Sequence, residues 1–290
     1  MKVYNIKEKT AYNIIRKMVR LDPNKPVMLI DTSYFIFYRY FAVFNWYKLA
    51  QKTVLDVPTI MENSAFMDKF NKLFEDNMEK LRKKHNVPYT NIIFAKDCMR
   101  DHIWRYKYYT NYKKSREERL TTFNGDIFKF CYNTLLPRLE NKFHVQSCEH
   151  NYAEADDVIA VFTRKIRNEH PSTNIVIVTN DNDYLQLIQE NVTLVNMKNV
   201  DLKPRLAYEP DIYLRIKIIM GDKSDNIPSV FPKCGEKKAQ LLAEDFDLLE
   251  EKLSKSPEFR ERFELNTLLI DTTKIPEDIK SEIDALLEFG

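Results

Sequence analysis

Four glycines in 290 residues, no CxxC pair and no long apolar run are the first features of this sequence. The scarcity of glycine goes with abundant Lys, Asn, Ile, Tyr and Phe. That bias follows from AT-rich coding and points to a viral, bacteriophage or low-GC bacterial source, not to an activity. The four cysteines, Cys98, Cys131, Cys148 and Cys234, are scattered. No basic leader precedes an apolar core near the N-terminus, so the chain reads as cytoplasmic with reduced thiols. Apolar runs break within a few residues, far short of the ~20 needed to cross a bilayer, which excludes a membrane role. A large excess of charge of one sign is missing too. Net charge is +2 although 30% of residues are charged, so any electrostatic function rests on local segregation. There is no internal repeat and no low-complexity linker, and the length suits one large domain or two modest ones.

Three short apolar, β-branched runs each end in Asp near a polar break: "VMLID" (27–31), "NIIFAKD" (91–97) and "NIVIVTND" (174–181). They read as buried strands, with 144–148 and 192–197 as weaker candidates. Helical patterns lie between them, at 59–85, 126–141 and 154–167. Alternation of this kind predicts an α/β fold around a largely parallel sheet flanked by helices. From about 209 only helices are expected, the first beginning at Pro210 and stopping at Gly221. The expected units are therefore a core over 1–205 and a helical region over 206–290.

Nine acids are of interest, four of them (Asp31, Asp97, Asp181 and Asp183) beyond the strand ends, where ligands collect in such sheets. They are Asp31, Asp97, Glu154, Asp156, Asp157, Asp181, Asp183, Asp222 and Asp225. Taken singly, each motif is explained as well by capping or by the helix dipole. Taken together, acids converging on one sheet edge repel unless protonated or neutralised by cations. Neither His nor Cys stands at these positions, which favours Mg²⁺ or Mn²⁺ over zinc. Two such ions about 4 Å apart would stabilise an in-line phosphoryl displacement.

Residues 98–119, "CMRDHIWRYKYYTNYKKSREER", carry seven Lys or Arg against three acids, interleaved with Trp104, Tyr106, Tyr108, Tyr109 and Tyr112. Cations for phosphates and rings for unstacked bases are the components of single-strand binding. A solvated helix with its aromatics facing the core is the competing reading, but the rings fit no single helical stripe.

These elements together resemble the metal-dependent 5′ nucleases, which include flap endonucleases, bacteriophage 5′–3′ exonucleases and the 5′-nuclease domain of bacterial DNA polymerases. The resemblance spans roughly 27–245, with "LIDTSYF", "FAKDCMRDHIWRYKYYTNYKKSR", "EADDVIAVF", "VTNDNDYLQL" and "IMGDKSDNIP" in family order. It implies a PIN-like nuclease core, a helical arch near 100–125 and a helix-hairpin-helix element in the helical region. It also implies that Asp31, Asp97, Glu154, Asp156 and Asp157 surround one ion, with Asp181, Asp183, Asp222 and Asp225 nearer a second. Arg105 and Lys113 match the pair that engages the scissile phosphate, and Lys113 with Arg116 fits the family's "YKxxR". Tyr112 matches a ring that stacks on substrate. The hairpin departs from the family. Where the family has a segment resembling "GVPGVGEK", this chain has "SVFPKCGEK", one residue longer and two glycines poorer, with Lys233, Lys237 and Lys238 alongside. A K⁺ ion in the hairpin is a family feature that this departure bears on.

The expectation is a monomeric 5′–3′ exonuclease and flap endonuclease that acts on DNA flaps, nicks or RNA–DNA primers and meets replication proteins. A catalytically inactive branched-DNA-binding homologue and a PIN-type ribonuclease are the alternatives. A dehalogenase-type phosphatase would need an Asp two positions after Asp31, and Ser33 stands there.

Overall fold

The computed structural model describes residues 18–51, 55–115 and 122–290. Its centre is a five-stranded parallel sheet. After the short strand β1 (Val19–Leu21) come β2 (Val27–Asp31), β3 (Ile92–Ala95), β4 (Gln146–Cys148), β5 (Ile175–Val178) and β6 (Val192–Val195). The sheet order is β4-β3-β2-β5-β6. All five expected strands are present. Residues 27–30, 92–95 and 175–178 are buried, as parallel strands covered on both faces require.

Alternate side chains feed two cores. Met28, Ile30, Ile92, Phe94, Val176 and Val178 face α1 (Thr32–Gln51) and α2 (Ser64–Lys84), and the same core takes in α3 (Asp126–Phe130), which passes through a π segment (Cys131–Leu135) into α4 (Leu136–Phe143). Val27, Leu29, Ile93, Ala95, Ile175 and Ile177 face α5 (Ala155–Glu169). The order reverses at β2, since β3 and β4 extend to one side while β5 and β6 extend to the other. Such a switch point opens a crevice beyond the strand ends, and Asp31 closes β2 there.

The third core joins α6 (Pro210–Met220), α7 (Glu236–Glu244), α8 (Phe246–Leu253) and α9 (Pro257–Ile270). A fourth, with Ile103, Tyr112, Ile218, Ile227, Leu269 and Ile270, fastens the basic aromatic segment to these helices. The expectation of helices alone after 209 needs correction. After α10 (Glu277–Asp284), strand β7 (Leu287–Phe289) pairs in parallel with β1. Ile275, Ile279, Ile283 and Leu287 belong to the core beneath α5, so the end of the chain packs with the sheet. Helix α1 carries aromatic and apolar groups on all sides and presents no single stripe to find.

Candidate active site

A cavity of about 1070 Å³ opens at the carboxyl edge of the sheet, between the core and α6. Asp31, Asp97, Glu154, Asp156, Asp181, Asp183 and Asp222 line it; Asp157 and Asp225 do not. Both of those are buried, Asp157 completely. The structure thus brings the nine acids to one place, seven at the wall and two behind it.

Each acid is placed by ordinary local chemistry. Asp31 Oδ1 accepts the Tyr34 amide at 3.0 Å, a cap on α1, while Oδ2 accepts from the Tyr184 hydroxyl at 3.2 Å. Asp97 accepts the Ala155 amide at 2.8 Å and the Ser33 hydroxyl. Glu154 caps α5 in a capping box whose other half is Asp157. Asp181 accepts the Asp183 amide and Asp222 the Ser224 amide, each capping a 3₁₀ turn. Capping is therefore real for several of these residues and leaves carboxylate oxygens at the cavity wall.

Gly221 makes the last of these turns possible. Its φ of +69° ends α6, and a Cβ there would stand 2.4 Å from the carbonyl oxygens of Ile227 and Pro228. Only glycine fits that approach. The tight turn returns Asp222 and Asp225 toward the sheet-borne acids.

Electrostatics separate the acids into two kinds. Burial, then Asp97, then Asp181 push the Asp31 carboxyl up to about 7, against the opposing pull of the Tyr34 amide. Asp97 is raised by burial and Glu154, and Asp156 by burial and Asp157. Glu154 goes the other way. Burial opposes its charge, but Lys113 and Arg105 outweigh burial and hold it below the usual carboxylate range. Two groups of acids converge closely enough to share an ion: Glu154, Asp156 and Asp157, and Asp183, Asp222 and Asp225, with oxygens within 4.8 Å of one another in each. Each group falls within one of the two sets implied by the resemblance, and Asp31, Asp97 and Asp181 line the cavity outside these two closest clusters.

The basic residues occupy unexpected positions. Arg105 is buried, with Nη1 and Nη2 on Asp157 at 2.9 and 2.8 Å, Nη1 on Glu154 at 2.9 Å and Nε on the Leu269 carbonyl. In this structure it braces the carboxylates from behind and does not face the cavity. The Tyr112 ring is only 2% exposed and its hydroxyl bonds Glu154 at 3.0 Å, so it serves packing and not an open stacking surface. Lys113 does line the cavity. At φ +52° its amide donates to the Asp225 carbonyl, and its Nζ reaches Glu154 and, at 3.7 Å, Asp225. Of the other rings in the basic segment, Trp104 is buried and donates to Asp157, while Tyr108 is exposed beside Lys107. Arg116 lies outside the described residues, as does the rest of 116–121 in the expected arch. Lys233, Lys237 and Lys238 are exposed around the start of α7.

The family model for the 5′-3′ exonuclease N-terminal resolvase-like domain matches residues 26–210. The chain belongs to this family. A 5′-3′ exonuclease of Buchnera aphidicola (from Acyrthosiphon pisum) is 28% identical over 233 residues, which is 78% of this chain and 73% of that protein. DNA polymerase I of Lactococcus lactis is 25% identical over 239 residues, 79% of this chain but only 25% of the polymerase. Among solved structures, bacteriophage T5 5′-exonuclease with bound zinc ions superposes with a TM-score of 0.61 at 17% identity, covering 90% of this chain and 97% of that one. The T5 flap endonuclease in a pseudo-enzyme-product complex with DNA and metal ions gives 0.61 at 16%, with the same coverage. At these identities the structural likeness shows the fold, a PIN-like α/β nuclease fold.

For a 5′-3′ exonuclease of this family, the sequence reading overlooked three cavity residues. Ser33 and Tyr184 hold Asp97 and Asp31. Lys217 on α6 pairs with Asp183 and, at 3.2 Å, with Asp222. Its only signal is a lysine that follows Arg215 by two in a mostly apolar helical run, five residues before Asp222. No helix among the described residues is long and apolar enough to cross a membrane.

Proposed function

We propose that this nuclease hydrolyses phosphodiester bonds near the 5′ ends of DNA or RNA-primed DNA with divalent metal ions, as a 5′–3′ exonuclease and flap endonuclease in replication or repair. The observation that carries the reading is the convergence of seven carboxylates on one cavity wall, with burial and then the neighbouring Asp97 pushing the Asp31 carboxyl up to about 7. Such a wall accommodates hard cations. The donor sets of both three-acid groups are carboxylate oxygens alone, and the raised groups Asp31, Asp97 and Asp156 are those a cation would relieve. Glu154, Asp156 and Asp157, with Asp31 and Asp97 beside them, would hold one Mg²⁺ or Mn²⁺, and Asp183, Asp222 and Asp225, with Asp181, a second. When bound, the ions supply Lewis acidity toward phosphate oxygens and acidify a water.

The chain's own residues do the rest. Arg105 fixes Asp157 through both of its oxygens and Glu154 through Oε2, which leaves Glu154 Oε1 directed to Lys113 at the cavity wall. Lys113, at the wall and positively charged, is placed to stabilise charge on the phosphate as the bond breaks. Exposed Tyr108 and Lys107 offer a ring and a cation to single-stranded substrate, and Lys233, Lys237 and Lys238 offer cations to duplex phosphates. Unit boundaries at 1–205 and 206–290, monomeric action in the cytoplasm and contact with replication proteins belong to the same proposal. The test is incubation with 5′-labelled flap, nicked duplex and RNA-primed DNA, with and without Mg²⁺. Metal-dependent release of 5′-end fragments is expected. Binding of branched DNA without cleavage would favour the inactive-homologue alternative.

A further inference from the structure

Lys217, a cavity lysine on α6, reaches into the group Asp183, Asp222 and Asp225, which Lys113 approaches from the other side at Asp225. Its side chain is 14% exposed, with Asp183 at 23% and Asp222 at 17%. The ammonium contacts Asp183, carried on the turn after β5, and Asp222, carried on the Gly221 turn. It therefore sits between carboxylates that come from two cores. A positive charge enclosed by acids that also suit a divalent ion competes for the same oxygens.

We propose that Lys217 is a resident counter-ion of this carboxylate group: its ammonium neutralises Asp183 and Asp222 before metal binds and must leave them for a divalent ion to enter. The inference rests on the two-ion reading above. It gives Lys217 two opposite effects, support of the metal-free fold and a penalty on affinity for the second ion. A lysine suits this role because its flexible stem lets the ammonium swing out while α6 stays in place. Lys113 makes the corresponding contact with Glu154 in the other group, but Lys113 also stands where the reaction needs it. Lys217 separates the metal question from catalysis more cleanly.

The experiment is Mn²⁺ binding without nucleic acid, followed by calorimetry and by electron paramagnetic resonance of free Mn²⁺. Wild type, Lys217→Met, Lys217→Gln and Lys217→Arg are compared, with melting temperatures in EDTA and in saturating Mn²⁺. Wild type is expected to take up two ions of unequal affinity. In Lys217→Met and Lys217→Gln the weaker ion should bind about tenfold more tightly, the gain expected when one adjacent opposing charge is removed. Their melting temperatures should fall in EDTA and recover in Mn²⁺, and Lys217→Arg should stay near wild type. Unchanged or weaker binding of the second ion in both neutral variants would overturn the counter-ion role while leaving the metal reading intact. A wild type that takes up only one ion would overturn both.

Discussion

Arg105 grips Asp157 through two parallel hydrogen bonds, 2.8 and 2.9 Å, with Asp157 wholly buried. A residue placed this way is a brace, and its loss leaves a buried carboxylate without compensation. Arg105→Met is therefore expected to destabilise the protein by about 3–5 kcal/mol, measured by urea unfolding. Arg105→Lys, which cannot reproduce the fork, should recover only part of this. A slowed reaction with unchanged stability would return Arg105 to the role of a phosphate contact.

Asp31 makes stability depend on pH in metal-free buffer. Its carboxyl titrates at about 7 in the folded chain against an ordinary 3.8, so the folded state binds the proton more tightly. The stability this proton provides is complete below about pH 4 and is lost as pH rises through 7. Asp31→Asn should thus gain stability over wild type above pH 7, on the order of 2 kcal/mol, with the difference closing toward pH 4. Melting curves from pH 4 to 9 in EDTA test this; a pH-independent difference would count against it.

The Gly221 turn leaves no room for a side chain. Gly221→Ala is predicted to cost about 3 kcal/mol or more, because both the positive φ and the contacts with two carbonyl oxygens resist a Cβ. Gly235 has open space at its Cβ position, so Gly235→Ala serves as the control, with a change within about 1 kcal/mol. Equal melting temperatures for the two variants would contradict the turn's role.

Lys113 and the tyrosines separate rate from affinity. Lys113→Ala is expected to slow cleavage about a hundredfold with little loss of binding, seen by comparing single-turnover rates with fluorescence titrations. Tyr112→Phe, which removes only the hydroxyl on Glu154, should cost about 1 kcal/mol in stability and leave single-strand affinity unchanged. Tyr108→Ala should weaken single-strand binding by about 1 kcal/mol instead. Reversal of the two tyrosine results would place the stacking ring at Tyr112.

Much of the architecture was legible from local chemistry. The central strands announce themselves because β2, β3 and β5 are buried on both faces and so run apolar without alternation. Asp31, Asp97, Asp181 and Asp183 were legible because they stand at or just beyond strand ends, where polarity has no packing reason to recur. Helix α1 was hidden by aromatic groups around its whole circumference. β1 and β7, three residues each, are too short to carry a period. The inward burial of Arg105 and Tyr112 depends on Leu269 and Ile227, more than 100 residues away, and no local pattern encodes such partners. Lys217 meets Asp183 for the same reason, through the packing of α6 against the turn after β5.

The central claim is that the carboxylate edge is a metal site for phosphodiester hydrolysis. The most direct measurement is single-turnover cleavage of a 5′-labelled flap as Mg²⁺ is titrated into EDTA-treated protein, with Asp181→Asn in parallel. The account predicts no cleavage in EDTA, a rate that rises with Mg²⁺ to a plateau, and substrate binding without cleavage in Asp181→Asn. Cleavage that persists in EDTA, or wild-type rates in Asp181→Asn, would contradict it.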